Sequence, residues 1–259
     1  MELKIISIIL ILEIIFLVLV LAVSGDRGAK SLLTLVANAV ALSVLILLIN
    51  KGAHPALAFF IACIIIVAVI LFYQNGINLK TIAAGIAILG VMLVLLPLFH
   101  WVQVGAQLQG IPNSAYEITD ANGYTRNIGV SMKWLYTGVI FMMLIGALID
   151  SAIAVSTATY EVVRHKRNMG MGEIFVSSMK MGEDILATMT HTLFFIYIAE
   201  MLALIIQFVD VYSFSRMINS KEFAQGIFEI TTGCIGCTLT IPICGIICAA
   251  IYSKIKTIE

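Results

Sequence analysis

Seven stretches of this chain are almost wholly apolar: Ile5–Val23, Leu32–Ile49, Ala56–Tyr73, Thr81–Phe99, Trp134–Tyr160, Ile185–Val209 and Ile227–Tyr252. Each is close to the twenty or so residues that cross a hydrocarbon core, so each predicts a transmembrane helix. Between them lie the polar breaks SGDRGAK and NKGAHP, the turn Gln74–Asn78, a polar segment from His100 to Lys133, the basic turn RHKRN, and DVYSFSRMINSKEFAQ. The first run is longer than a signal-peptide core and follows only a weakly basic MELK, so it reads as a retained helix. Pro55 suits a helix start, where its missing N–H costs little. The segment 100–133 has turn residues and no apolar period, which predicts an ordered external loop with a short interfacial helix. Met171–Glu183 reads as an amphipathic connector leading into the sixth run. The pattern as a whole predicts an all-α polytopic membrane protein of about seven transmembrane helices, forming a single transmembrane domain over 1–259.

Composition agrees and narrows the class. The chain is 61% hydrophobic and 12% charged, with a mean hydropathy of +1.07, far from the soluble balance of about half apolar and a quarter charged. A formal net charge of zero gives no basic patch for nucleic acid. The lipid bilayer is the expected partner. Basic residues set the orientation: with the N-terminus outside, the RHKR cluster falls on the inner side together with Arg27, Lys30, Lys80 and Lys180. The C-terminus is then cytoplasmic. Trp134 and Tyr136 at one end of the fifth run, and Tyr160 at the other, look like interfacial anchors.

Polar side chains inside the runs carry the candidate chemistry. An ionised carboxylate at mid-depth costs roughly 2.5–3.5 kcal/mol even on the lenient insertion scale, so Asp150 is expected to face protein or water. On an ideal helix Asp150, Ala154, Thr157 and Glu161 share a face with Gly146, and Asp184, Thr188 and His191 do the same on the next span. With Glu161 and Asp184 at similar depth, Asp150 would stand about 16 Å above Glu161, and His191 about 10 Å above Asp184. Glu13 falls near the depth of Asp150, and two carboxylates at one level would hold at least one proton between them. A carboxylate and an imidazole in a membrane interior suit proton transfer. The competing reading makes Asp150 a hydrogen-bonding residue between helices, and Glu161 and Asp184 solvated helix ends pairing with the basic turn. Glu200 faces away from the His191 side. Glu229 suits a helix N-terminus as a capping acid or a functional group. Asn38 reads as a hydrogen-bonder to a neighbouring helix.

The five cysteines all lie in apolar runs, and four of them share a broad face of the last run with Gly233, Gly236 and Gly245. That is what close helix packing asks for, and it implies neither a disulfide framework, a metal site nor a cofactor. No metalloprotease, nucleophile-elbow or phosphate-loop motif is present. A membrane aspartyl protease needs two facing carboxylates, and the expected offset between Asp150 and Asp184 speaks against it. The chain is not expected to be an enzyme.

GALIDSAIAVSTATYE, SSMKMGEDILATMTHTLFFIY and EITTGCIGCTLTIPI resemble the YibE/F-like family of bacterial membrane proteins. The likeness covers the last three runs and implies a bacterial cell membrane location. It carries the family's polar positions to Asp150, Glu161, Asp184, Thr188, Thr190, Thr192 and Glu229. His191 stands where the family usually has Asn, Ala187 where it has Gly, Glu200 where a small residue is usual, and Ala203 where it has Pro. The layout of a glycine four residues before a membrane Asp, a Glu at that helix's inner end and a Thr-rich helix is similar to a half-unit of the resistance-nodulation-division transmembrane domain. That likeness implies proton-coupled work and a chain that pairs with itself or a paralogous membrane subunit.

Two functions follow as expectations. One is a proton- or cation-coupled transport subunit, with Asp150 as the ion site, His191, Thr188 and Asp184 relaying toward the cytoplasm, and Glu161 orienting the inner end. The other is a non-transporting scaffold or assembly subunit whose polar ladder sets helix registry.

Overall fold

The computed structural model describes residues 2–108, 117–119, 125–127, 130–166, 168–211 and 213–254. In chain order the elements are α1 (Glu2–Asn50), α2 (Pro55–Ala68) running into a π-helical turn (Val69–Gln74), and α3 (Leu79–Gly105). Strands β1 (Glu117–Thr119) and β2 (Thr125–Asn127) follow, then α4 (Met132–His165), α5 (Met171–Val211), α6 (Phe214–Ile218) and α7 (Lys221–Tyr252). The protein is an all-α polytopic membrane protein, and six of the described helices are long and apolar enough to cross a membrane.

Six helices arise from seven apolar runs because the first two share α1. SGDRGAK continues the helix except at Gly25, whose φ of 51° and ψ of −127° bend it. Glycine adopts a positive φ without steric cost, so the chain turns there without a loop. The bend is sharp: a Cβ at Gly28 would lie 2.5 Å from the Val20 carbonyl oxygen, eight residues earlier. Ile8–Leu19 is exposed throughout, whereas the second segment of α1 packs Leu45 and Ile49 against α2 and α4.

Helix starts follow local chemistry. Pro55 opens α2 after an extended His54. Asn78 and Thr81 form a reciprocal capping box at α3, and Ser220 accepts from the Phe223 N–H at α7, each removing unsatisfied backbone donors. The expected external loop is shortened at both ends, since α3 runs on to Gly105 and α4 begins at Met132. Its described part is an antiparallel pairing of β1 with β2. The expected interfacial helix would fall largely on 109–116 and 120–124, outside the described residues.

α7 is the centre of the bundle, packed by α3, α4 and α5. It runs parallel to α4: Tyr136 meets Glu229, Gly236 lies against Leu144, Cys244 against Ala152, and Tyr252 against Ser156. It runs antiparallel to α5, where Gly226 meets Met201, Gly233 meets Leu193, Gly182 meets Ile241, and Gly245 meets Ser178. Lipid offers no hydrophobic driving force between helices, so close van der Waals contact at small residues must hold them. At Gly236 a Cβ would come within 2.6 Å of the Leu144 side chain, which would have to move aside. The packing expected for the glycine face of the last run is what is found.

The amphipathic connector is also part of a longer element. Met171–Glu183 forms the first turns of α5, with Ile174, Ser178 and Gly182 buried. This shifts the depth of every residue that follows.

Candidate functional site

Asp150 lies on α4 and is exposed, as are Asp184, Thr188, His191 and Thr192 on α5. Their relative depth comes from the contacts of the two helices. Ala147 and Leu186 pack in one cluster around Leu193, Tyr197 and Cys237, and Val155 and Met179 belong to the next cluster along. Asp150 is one turn past Ala147, and Asp184 is half a turn before Leu186. In this antiparallel register the two carboxylates stand within about one helical turn of each other in depth. The expected offset of about 16 Å assumed that the second helix begins at Asp184. It begins at Met171, so Glu161 lies instead near the α5 N-terminus.

Two threonine hydroxyls of α5 are turned to their own backbone. Thr188 Oγ1 donates to the Asp184 carbonyl at 2.8 Å, and Thr192 Oγ1 to the Thr188 carbonyl at 2.9 Å. Within the single chain, therefore, the hydroxyls do not link Asp184 to His191. Thr190 is half-buried on another side of the helix. Glu13 is exposed on the first segment of α1, and no described hydrogen bond or ion pair joins it to Asp150.

Interior polar contacts join α4 to α3, where the buried Gln103 and Thr137 bond at 2.9 Å, and to α7 along a seam. At one end Tyr136 is buried and donates to Glu229 Oε1 at 3.3 Å. The buried Tyr197 lines the same small void, together with Thr232. Glu229 is two turns inside α7, behind the Ser220 cap, so the capping reading fails and the acid accepts from Tyr136 instead. Tyr136 is correspondingly a buried donor and not an interfacial anchor. Glu200 is exposed on α5. At the middle of the seam Ser151 Oγ is buried beside Cys237, next to Asp150.

At the other end Ser156 Oγ lies 2.6 Å from Tyr252 Oη and donates to the Lys80 carbonyl at 2.8 Å. Lys80 Nζ is 2.6 Å from Glu161 Oε1 and 4.7 Å from the centre of the Tyr160 ring. Tyr160 meets Tyr252 edge to face, with ring centres 5.5 Å apart. Glu161 thus pairs with α3 and not with the basic turn expected of it, though His165 Nδ1 contacts its carbonyl oxygen at 2.7 Å.

Sequence reasoning missed Lys80, Ser156 and Tyr252. A lone lysine one residue into an apolar helix was the available signal for Lys80; hydroxyls at a span end give none. Asn38 Oδ1 is buried without a hydrogen-bond partner among the described residues, unlike the interhelical bond expected. Cys244 Sγ lies 3.8 Å from Cys248 Sγ and 3.5 Å from the Ala152 carbonyl oxygen. No group of ligating residues suited to a metal occurs among the described residues.

The chain matches the family model described as YibE/F-like protein over residues 12–254. No curated protein and no solved structure matches it.

Proposed function

The chain belongs to the YibE/F-like family, and from that premise we propose that it is a proton- or cation-coupled transport subunit of the bacterial cell membrane. One observation carries this reading. Asp150 and Asp184 are both exposed on two helices long enough to cross a membrane, and the contacts of those helices bring them within about one helical turn in depth. Charged groups at such positions are costly against lipid and characteristically face a bundle interior or a water-filled path. A homodimer or a paralogous subunit laid on α4 and α5 would supply that interior, with Asp150 as the ion site. Asp184, Thr188 and His191 would carry the path along the interface, and Glu161, held by Lys80, would set the inner end. Thr190, Thr192, Glu200, Glu229 and Glu13 have secondary places in this reading. The N-terminus is outside and the C-terminus cytoplasmic.

A scaffold or assembly subunit is the second reading. It is favoured by the Thr188 and Thr192 hydroxyls, which are already engaged with their own helix.

Proton flux in inverted vesicles separates the two, comparing the wild-type chain and its copurifying partner with Asp150→Asn at equal protein level. Flux lost in the variant is the transport outcome. Equal flux in wild type, variant and empty vesicles, with both proteins folded and partnered, overturns it in favour of the scaffold.

A further inference from the structure

The second segment of α1, the π-helical turn after α2 and the start of α3 enclose a cleft of about 530 Å³, closed on its fourth side by Ile153 and Thr157 of α4. Its charged lining is cationic: Arg27, Lys30 and Lys80. Lys80 is committed to Glu161, whereas no described carboxylate pairs with Arg27 or Lys30. The rim is held in place by its own bonds. Asn78 Nδ2 reaches the Asn75 and Gly76 carbonyls at 3.2 and 3.3 Å, and Thr81 Oγ1 donates to Gly76 at 2.8 Å. Arg27 enters the cleft because the chain bends at Gly25, two residues before it.

A cleft with two unneutralised cations between membrane helices asks for an anion. Basic pockets of this kind are suited to phosphate-bearing headgroups. A second void favours a lipid as the source. Further along the seam between α1 and α4 lies a pocket of about 350 Å³ lined by apolar side chains, among them Leu42, Leu45, Val139 and Met142. Met142 and Ile153 are separated by eleven residues of α4, roughly 16 Å of helix rise. That is about half the thickness of the hydrocarbon core, the span an acyl chain covers beneath its headgroup.

We propose that this seam is a binding site for an anionic phospholipid, its phosphate held by Arg27 and Lys30 in the cationic cleft and an acyl chain lying along α4 toward Met142.

The test uses the full chain, delipidated in a neutral detergent, with its thermal midpoint followed on titration with phosphatidylglycerol, phosphatidylcholine or inorganic phosphate. Phosphatidylglycerol is expected to raise the midpoint in a saturable way. Arg27→Gln with Lys30→Gln should weaken its apparent affinity roughly thirty-fold, from the ordinary worth of two basic residues at an anionic surface. Arg27→Lys with Lys30→Arg keeps the charges and should keep the affinity. Lys166→Gln, which removes an exposed charge elsewhere, should leave it unchanged. No effect of phosphatidylglycerol beyond phosphatidylcholine overturns the site. So does an equal loss from Lys166→Gln, which would mark unspecific attraction. An effect fully reproduced by inorganic phosphate overturns the lipid as the source and leaves a phosphate site.

Discussion

The Ser156 hydroxyl lies 2.6 Å from the Tyr252 hydroxyl, and Tyr252 Oη also approaches the Ser156 carbonyl oxygen at 3.2 Å. Both residues are buried, so this pair joins the last turn of α7 to α4 where water does not compete. Tyr252→Phe should lower stability by about 0.5–1.5 kcal/mol, the net worth of one hydrogen bond, since Ser156 keeps its bond to the Lys80 carbonyl. Unfolding of the variant in detergent checks this. Ser156→Ala added to Tyr252→Phe should cost less than the two single changes together, because the residues act as a pair.

Tyr136 and Glu229 make the corresponding contact at the other end of the seam. Tyr136→Phe removes the donor to Glu229 Oε1 and should destabilise by about 1–3 kcal/mol. Replacing the acid as well, with Glu229→Leu, should recover part of that loss, since an apolar pair of similar shape has no polar group to strand. If the double variant is less stable than Tyr136→Phe alone, Glu229 has another partner.

Gly138 lies directly against the Phe59 ring, where an added Cβ has no room. Gly138→Ala should therefore separate α2 from α4 and lower stability by about 1–3 kcal/mol. Phe59→Leu in the same chain should restore some of it. A thermal melt of the three variants decides the matter, and an unchanged midpoint for Gly138→Ala would show that the ring moves aside freely.

Pairing of two chains across α5 predicts a disulfide from Thr188→Cys under mild oxidation in native membranes. Thr188 is exposed on the face that carries Asp184, while four of the five native cysteines are buried. The expected product is a covalent dimer, absent when the substitution is placed at Leu57 on α2, which is also exposed. A monomer in both cases would argue for a paralogous partner or for none.

Much of this architecture was legible in the residues. Long apolar runs must be helices in a bilayer, because their backbone polar groups have no other partner there. The three glycines of the last run foretold close packing at α7 because small residues alone let helices approach. Asp150 stood out for the cost of its charge. Other readings failed for local reasons. Glu229 reads as a capping residue only if the mostly polar Lys221–Gln225 is loop, yet Ser220 caps a helix that includes it. Tyr136 looked like an anchor because nothing in a sequence shows which carboxylate its hydroxyl will meet.

Composition and the spacing of polar residues thus determined the class, the positions of the membrane-crossing segments and which side chains share a helical face, since these depend on one helix at a time. Only the tertiary structure decided how the helices stand against each other. It brought Asp150 and Asp184 within about a helical turn in depth, joined Lys80 to Glu161 and folded Arg27 back into a cleft. Helix periodicity fixes direction around an axis but leaves depth open. Depth is settled by where each helix starts and by the side chains that meet across the seam: Gly236 on Leu144, Gly182 on Ile241, and Ser156 on Tyr252.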